Sequence, residues 1–243
     1  MSDRIQQLIR MVKAWDRVID VGCDHGQMSI GLAQRKDIGS VLATDISGPS
    51  LQKLIDRLEA CLEEDWAKKI QTFHTDGLKN LPWSKAGAIL IAGMGGELMV
   101  KILEANPTLV ANTEQLVLSH HLDAAKVRAY LTANSFAIVD EHLLEENGHY
   151  YEMISARRRK AGESEQVLSE VALQYGPILI ARRDPLLHKK LQEDRDKLLD
   201  LIRNLEKLDD QSKVSDRLAV LRDRQKGIVA LLNDEEGKTT DVN

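Results

Sequence analysis

The sequence predicts an α/β fold: a doubly wound, mostly parallel sheet with an antiparallel hairpin at one edge, followed by an α-helical coiled-coil hairpin. Three observations carry this prediction. Between about residues 17 and 155, short β-branched runs alternate with stretches of helical period, and such alternation builds a parallel sheet with helices on both faces. The last two runs are separated only by the turn Glu146-Asn147-Gly148, which folds a strand straight back on its neighbour. Beyond Arg157-Arg158-Arg159-Lys160 the strands stop and leucines recur in heptads, as in a coiled coil. A chain of 243 residues has room for one generous domain and an appendage, and the boundary is expected between residues 1–160 and 161–243.

Taken in order, residues 3–14 have an amphipathic helical pattern and are expected to pack on the sheet domain. Strands are expected at 17–21, 40–44, 69–73, 88–92 and 115–119. All five are mostly apolar at successive positions, as in parallel strands covered on both faces. Helical patterns fill the intervals at 28–35, 50–63, 97–105 and 124–133. The runs at 137–141 and 150–156 form the edge hairpin, and a parallel sheet ending in such a hairpin is the arrangement of class I methyltransferases. In the C-terminal segment, Leu187, Leu191, Leu198, Leu201, Leu205 and Leu208 make one apolar row, and Val214, Leu218, Leu221, Ile228 and Leu232 another. Asp194 and Gln225 interrupt this seam, and Asp209-Asp210-Gln211-Ser212 supplies a tight reversal between its halves. Two antiparallel helices are expected, closing on each other or self-associating with a second chain, with a disordered tail after Asp234.

Composition narrows the function. Hydrophobic residues make up 43% and charged residues 29% of the chain, as in an ordinary soluble domain. No apolar run approaches the length of a membrane span, and the N-terminus has no secretory pattern, so a cytoplasmic protein is expected. Cys23 and Cys61 cannot build a disulfide framework. The net charge of −5 does not advertise a nucleic-acid ligand, although a local basic face is what attracts phosphates.

The chemistry is expected at the strand ends. The first strand runs into Asp20-Val21-Gly22-Cys23-Asp24-His25-Gly26, a glycine turn at the place where doubly wound sheets bind nucleotide-like cofactors. A dinucleotide needs glycines where its pyrophosphate meets bare backbone; here the second glycine position is Asp24, whose charge would repel phosphates. S-adenosylmethionine carries no phosphate but has a sulfonium and an ammonium, which suit Asp20 and Asp24. Asp45-Ile46 ends the second strand, 23 residues after Gly22, where an acidic side chain bridges ribose hydroxyls. Asp76-Gly77 follows the third strand, placed to meet an adenine amino group. The fourth runs into Ala92-Gly93-Met94-Gly95-Gly96, whose glycines let backbone approach a ligand.

Structural readings stand beside these. Asp20 can serve a turn or a helix dipole, Asp45 can cap the helix after Pro49, and His25 can simply shape the turn. His120 and His121 are adjacent, so on a strand they point apart and cannot share a metal; no metal is expected. The leucine seam reads as packing, and the run Arg157, Arg158, Arg159, Lys160 can be a solvated linker.

On these residues the chain resembles the bacterial tRNA (adenine-22, N1)-methyltransferase family, TrmK. The resemblance rests on Asp20-Val21-Gly22-Cys23-Asp24-His25 and Ile91-Ala92-Gly93-Met94-Gly95-Gly96. It extends through Leu144-Glu145-Glu146-Asn147-Gly148-His149-Tyr150-Tyr151-Glu152 and Tyr175-Gly176-Pro177, and so covers nearly the whole chain. It implies a Rossmann-like domain joined to a coiled coil, S-adenosylmethionine as cofactor and tRNA as partner. Asp24 would be the catalytic carboxylate, accepting a hydrogen bond from the target base. Asp20, Gly22, His25, Asp45, Ile46, Asp76, Gly77, Ala92, Gly93, Met94 and Gly95 would hold the cofactor. RNA would be gripped by Arg157, Arg158, Arg159, Lys160, Arg182, Arg183, Lys189 and Lys190. One segment departs: after the fifth strand the family usually shows Leu-Gln-Pro-Asn, and this chain has Leu118-Ser119-His120-His121. Methylation of a small molecule or protein, a coiled-coil interaction protein without activity, and, more distantly, a dehydrogenase remain the competing readings.

Overall fold

The computed structural model of the chain describes residues 2–207 and 214–236. The chain divides into two compact units, Met1–Val167 and Leu168–Asn243.

The first unit is built on seven strands: β1 (Trp15–Val21), β2 (Ile38–Asp45), β3 (Ile70–His74), β4 (Ala86–Met94), β5 (Thr113–His120), β6 (Phe136–Glu146) and β7 (His149–Arg158). Their order in the sheet is β3-β2-β1-β4-β5-β7-β6. The first five pair in parallel, and β7 runs antiparallel to both β5 and β6. Val18 to Val21 and Ala88 to Ile91 are all at most 1% exposed, which explains why β1 and β4 read as unbroken apolar runs rather than alternating ones. The chain leaves β1 toward β2 and β3, then returns to place β4 on the other side. That reversal opens a crevice at the carboxyl ends of β1 and β4.

The connecting helices are α2 (Gln27–Ala33), α3 (Gly48–Glu59), α4 (Gly96–Glu104) and α6 (Ala124–Ala133), near the expected positions. The edge hairpin turns on Asn147 and Gly148, both with positive φ, as a two-residue type I′ turn requires. β6 is longer than expected because residues 142–146, polar enough to pass for loop, pair fully with β7. A buried arginine ties this edge to its helix: Arg128 donates to Glu141 at 2.8 Å and to Glu152 at 2.7 Å.

The N-terminal helix α1 (Asp3–Met11) buries Leu8, Ile9 and Met11. It ends three residues earlier than expected, because β1 already starts at Trp15. One side chain fastens it to the sheet. Gln115 on β5 accepts from Lys13 N and Trp15 Nε1 at 3.0 Å each, and donates to Met11 O at 2.7 Å and Ser155 Oγ at 2.8 Å. Three short helices were not expected: α5 (Pro107–Ala111), α7 (Glu170–Tyr175) and α8 (Pro177–Arg182). Each is too short for a 3.6-residue pattern to repeat.

In the second unit, α9 (Pro185–Glu206) and α10 (Ser215–Glu236) run antiparallel. Arg222 reaches Glu206 at 2.6 Å, while Arg183 bonds the Asp234 carbonyl at 3.2 Å. The buried seam is Leu187, Leu191, Leu198 and Ile202 against Leu218, Ile228 and Leu232. Ile202, not Leu201, completes it, and Leu201 is exposed. On a helix of 3.6 residues per turn the position four residues after Leu198 lies nearer its face than the position three after it, so the seam passes to Ile202. The polar gap at Asp194 is filled by Tyr175 Oη at 3.3 Å and Lys190 Nζ at 3.0 Å. Leu208, the reversal at 209–212 and the tail at 237–243 lie outside the described residues.

Candidate active site

A cavity of about 520 Å³ opens at the carboxyl ends of the strands of the first unit, within the roughly 300–1,000 Å³ typical of ligand pockets. The turn after β1 contributes Gly22, Cys23, Asp24 and His25, the end of β2 Asp45 and Ile46, the segment after β3 Asp76 and Gly77, and the end of β4 Ala92, Gly93 and Met94. Of the residues expected to hold the cofactor or carry the chemistry, the structure brings together all but two at this cavity. Asp20 lies behind the lining and Gly95 beside it.

The turn after β1 is shaped by hydrogen bonds from its neighbours. Gly22 N and Cys23 N both donate to Thr44 O, at 2.8 and 2.9 Å. Asp24 adopts φ +50, and its N–H donates to Asp45 Oδ2 at 2.8 Å. Asp45 Oδ1 accepts from Ser47 N at 2.8 Å. The cap of α3 is Ser47, whose Oγ accepts from Ser50 N at 3.3 Å, so Asp45 is not that cap. It braces the turn and presents its carboxylate to the cavity.

Asp20 is fully buried and accepts from Ser29 Oγ at 2.5 Å. It thus anchors the first turns of α2, and its other oxygen has no hydrogen-bond partner. Burial pushes its carboxyl up to about 6, because a charge there has lost its water. The His25 carbonyl accepts from Arg57 at 2.9 Å, and its Nδ1 stands 3.6 Å from Asp24 Oδ1. Asp76 is exposed and holds Lys79 at 2.6 Å on one oxygen. Gly93 has φ +75 with open space where a Cβ would stand, so the backbone conformation demands glycine there. Gly96 serves packing instead: a Cβ would come 2.7 Å from Asp123 O.

Gly22 is constrained on both counts. Its φ is +70, and an added Cβ would fall 2.3 Å from Met94 Cε. Gly22→Ala is therefore expected to strain the turn by about 1–2 kcal/mol and push Met94 into the cavity. Calorimetric titration with the cofactor should show a loss of about tenfold or more.

No sequence pattern marked the contribution of α1: Arg4, Ile5 and Leu8 line the cavity, as do Leu98 and Ile102 of α4. Helical period marks an apolar face but not which end of a sheet it covers. The departing segment behaves differently from what its position implied. Ser119 and His120 are each 1% exposed, line no part of the cavity, and leave Oγ and Nε2 without partners. Burial holds the His120 imidazole down at about 4, so it is neutral at physiological pH. Only His121 is exposed.

The basic residues fall into two groups, one on each unit, and most of the charges have partners. Arg157 grips Glu163 through both terminal nitrogens, at 2.7 and 2.5 Å. Arg158 donates to Val110 O at 2.7 Å and stacks 4.5 Å over Phe136, and the Arg159 side chain, paired with Glu165, is 10% exposed. Lys160 is exposed. Arg182 pairs with Asp184, Arg183 with Asp234 and Lys190 with Asp194, while Lys189 is exposed on α9.

Among the described residues no group of three or more His, Cys, Asp or Glu is arranged to hold a metal, and no helix is long and apolar enough to cross a membrane. Comparison with known proteins agrees with the fold. The chain is 26% identical over 229 residues to the tRNA (adenine(22)-N(1))-methyltransferase of Bacillus subtilis, covering 92% of this chain and 93% of that protein. The crystal structure of a candidate tRNA (m1A22) methyltransferase from Streptococcus pneumoniae superposes with a TM-score of 0.83 at 29% identity, covering 96% of this chain and 99% of that one. The same protein in complex with S-adenosyl-L-methionine gives 0.80 at 27%, with equal coverage. The family described as "Methyltransferase domain" matches residues 1–154, which span the whole cavity, and the chain belongs to that family.

Proposed function

We propose that the protein transfers a methyl group from S-adenosylmethionine to N1 of an adenine in tRNA, at position 22. The observation that carries this reading is the cavity: three carboxylates, Asp24, Asp45 and Asp76, face a space with one arginine. A phosphate-bearing cofactor would be repelled there, whereas a ligand with a sulfonium and an ammonium is matched. Gly22, Gly77 and Gly93, all with positive φ, bring bare backbone to the cavity wall, and at Gly93 the space a Cβ would occupy is open.

In this reading Asp45 and Asp76 take the ribose hydroxyls and the adenine amino group of the cofactor. Gly22, His25, Ile46, Gly77, Ala92, Gly93 and Met94 shape the walls, and Asp20 supplies negative charge from behind. When bound, the cofactor supplies a methyl group made electrophilic by a positive sulfur. The protein needs no strong base, because adenine N1 carries a free lone pair. Its work is to align N1 and exclude water, and to stabilise the positive charge that develops on the ring. Asp24 does the latter by accepting a hydrogen bond from the exocyclic amine. N1 lies on the pairing edge, so the base must be unpaired or extruded to reach the cavity. Phosphates would be held by Arg157, Arg158, Arg159 and Lys160 on the first unit and by Arg182, Arg183, Lys189 and Lys190 on the second, their present contacts opening toward RNA, which makes binding salt-dependent. The apolar seam of α9 and α10 is satisfied within one chain, which favours a closed hairpin over a self-associating one. A cytoplasmic site follows from the substrate.

Methylation of a small molecule or protein is the competing reading. Its motives are the acidic net charge and the Ser119-His120-His121 departure, and the burial of Ser119 and His120 weakens the second. Labelled S-adenosylmethionine incubated with unmodified bulk tRNA, followed by nucleoside analysis, should give 1-methyladenosine. No label in RNA, with cofactor binding demonstrated, would move the substrate to another class.

A further inference from the structure

The turn after β1 holds a polar atom that the chemistry above leaves without a task. Nδ1 of His25 is buried and makes no hydrogen bond among the described residues, although the residue lines the cavity and its side chain is 42% exposed. Buried ring nitrogens ordinarily have a partner. One stands next door: Asp24 Oδ1 is 3.6 Å away, too far for a hydrogen bond but within a side-chain rotation of one.

The backbone does not close that gap, because it is held on every side. The Asp24 N–H donates to Asp45 at 2.8 Å, the His25 carbonyl accepts from Arg57 at 2.9 Å, and Gly26 N donates to Cys23 O at 2.8 Å. An added Cβ on Gly26 would collide with the Leu54 side chain, so α3 closes the turn from outside. What stays free is the Asp24 carboxylate, 72% exposed, which can swing about its own bonds. A swinging acceptor serves poorly where a substrate must be placed to about half an ångström. The exocyclic amine of the target base keeps both its protons during transfer, so the direction of its acceptor is what counts.

We propose that His25 is a positioning residue for Asp24: with the target adenine in place, Nδ1–H closes on Oδ1 and fixes the plane of the carboxylate, leaving Oδ2 to accept from the amine. The neutral imidazole must then carry its proton on Nδ1. In acid–base triads a carboxylate orients a histidine through the same contact; here the histidine orients the carboxylate. The proposal rests on the tRNA reading given above and gives His25 a task beyond shaping the cavity wall.

The test separates a hydrogen bond to Asp24 from a wall of the cofactor cavity. An asparagine at position 25 places an N–H near the site of Nδ1, whereas a glutamine places one near the site of Nε2. Single-turnover methyl transfer to tRNA at saturating cofactor should fall about 30-fold in His25→Ala and in His25→Gln, the scale of one charge-assisted hydrogen bond. His25→Asn should stay within about threefold of the wild type, and all three should bind S-adenosylmethionine within about threefold of it in calorimetric titration. In an Asp24→Asn background, His25→Ala should cost less than about threefold, because the two residues act as one unit. A further readout needs no turnover: with unmodified tRNA and S-adenosylhomocysteine bound, the Nδ1 proton of His25 should give a low-field resonance that Asp24→Asn abolishes. The asparagine–glutamine contrast carries the test should the alanine variant fail to fold. Equal rates for those two variants, or an undiminished loss in the Asp24→Asn background, would overturn the proposal. Rate losses matched by losses of cofactor affinity would also overturn it and return His25 to the cavity wall, with the tRNA reading intact. A wild type that binds the cofactor but methylates no RNA would remove both.

Discussion

Asp24→Asn is expected to lower the rate of methyl transfer to tRNA by about 100- to 1,000-fold, the range for losing one preorganised electrostatic contact in a closed site. Cofactor affinity should stay within a few-fold. The local geometry makes this substitution a clean probe. The left-handed backbone at position 24 is held through its N–H by Asp45, not through its own carboxylate, and asparagine tolerates that conformation as well as aspartate does. The Asp24 side chain is 72% exposed, so its replacement should not disturb the core. Single-turnover rates under saturating cofactor separate the chemical step from binding. Turnover equal to the wild type would take Asp24 out of the chemistry and leave the cavity as a binding site alone.

Asp20→Asn should stabilise the fold while harming function. The carboxyl titrates at about 6 in the folded chain against 3.8 for the free group. The folded state therefore holds its proton over a range where the unfolded chain has released it. Burying the ionised form costs about 3 kcal/mol, fully present above pH 6 and relieved as pH falls through 6 toward 3.8. His120 acts with the opposite sign: its imidazole sits at about 4 instead of 6.5, so stability is lost as pH falls from 6.5 toward 4. Between pH 4 and 6 the two contributions oppose each other. The asparagine variant can still accept from Ser29 and carries no charge, so its advantage should be about 2–3 kcal/mol at pH 8 and vanish near pH 4. At pH 8 that raises the melting temperature by roughly 4–10 °C. An advantage that does not change with pH would mean that Asp20 is not ionised at neutral pH. The same variant should bind S-adenosylmethionine more weakly, since it removes negative charge behind the turn.

The central part of the fold was legible because two independent signals agreed. Apolar runs at β1, β4 and β5 are buried on both faces, and helical periods lie between them. Asn147-Gly148 announced its turn, since both positions have positive φ and those residue types tolerate it. The site was legible for a related reason: a topological reversal puts the ends of β1, β2 and β4 in one place, so motifs at strand ends converge. What escaped were features fixed only by tertiary packing. Asp20 and Asp24 look alike in sequence, yet one is sealed beneath α2 and the other stands at the cavity mouth. Arg4 and Gln115 meet their partners across long sequence separations that no local pattern records. The basic run at 157–160 reads as a solvated linker and is largely engaged: Glu163 and Glu165 turn back on it from the residues that follow, and Val110 meets it from 48 residues away.

The four hydrogen bonds of Gln115 carry a consequence for how the protein is made. They join residues 11–15, 115 and 155, and the segment they fasten brings Arg4, Ile5 and Leu8 to the cavity. A nascent chain leaves the ribosome from its N-terminal side, so α1 emerges well before Gln115, which supplies three of these bonds, and before Ser155, which completes the set. Until then α1 can rest only on α2, the next helix to be made. The α1 wall of the cavity is thus fastened late, when β7 takes its place beside β5.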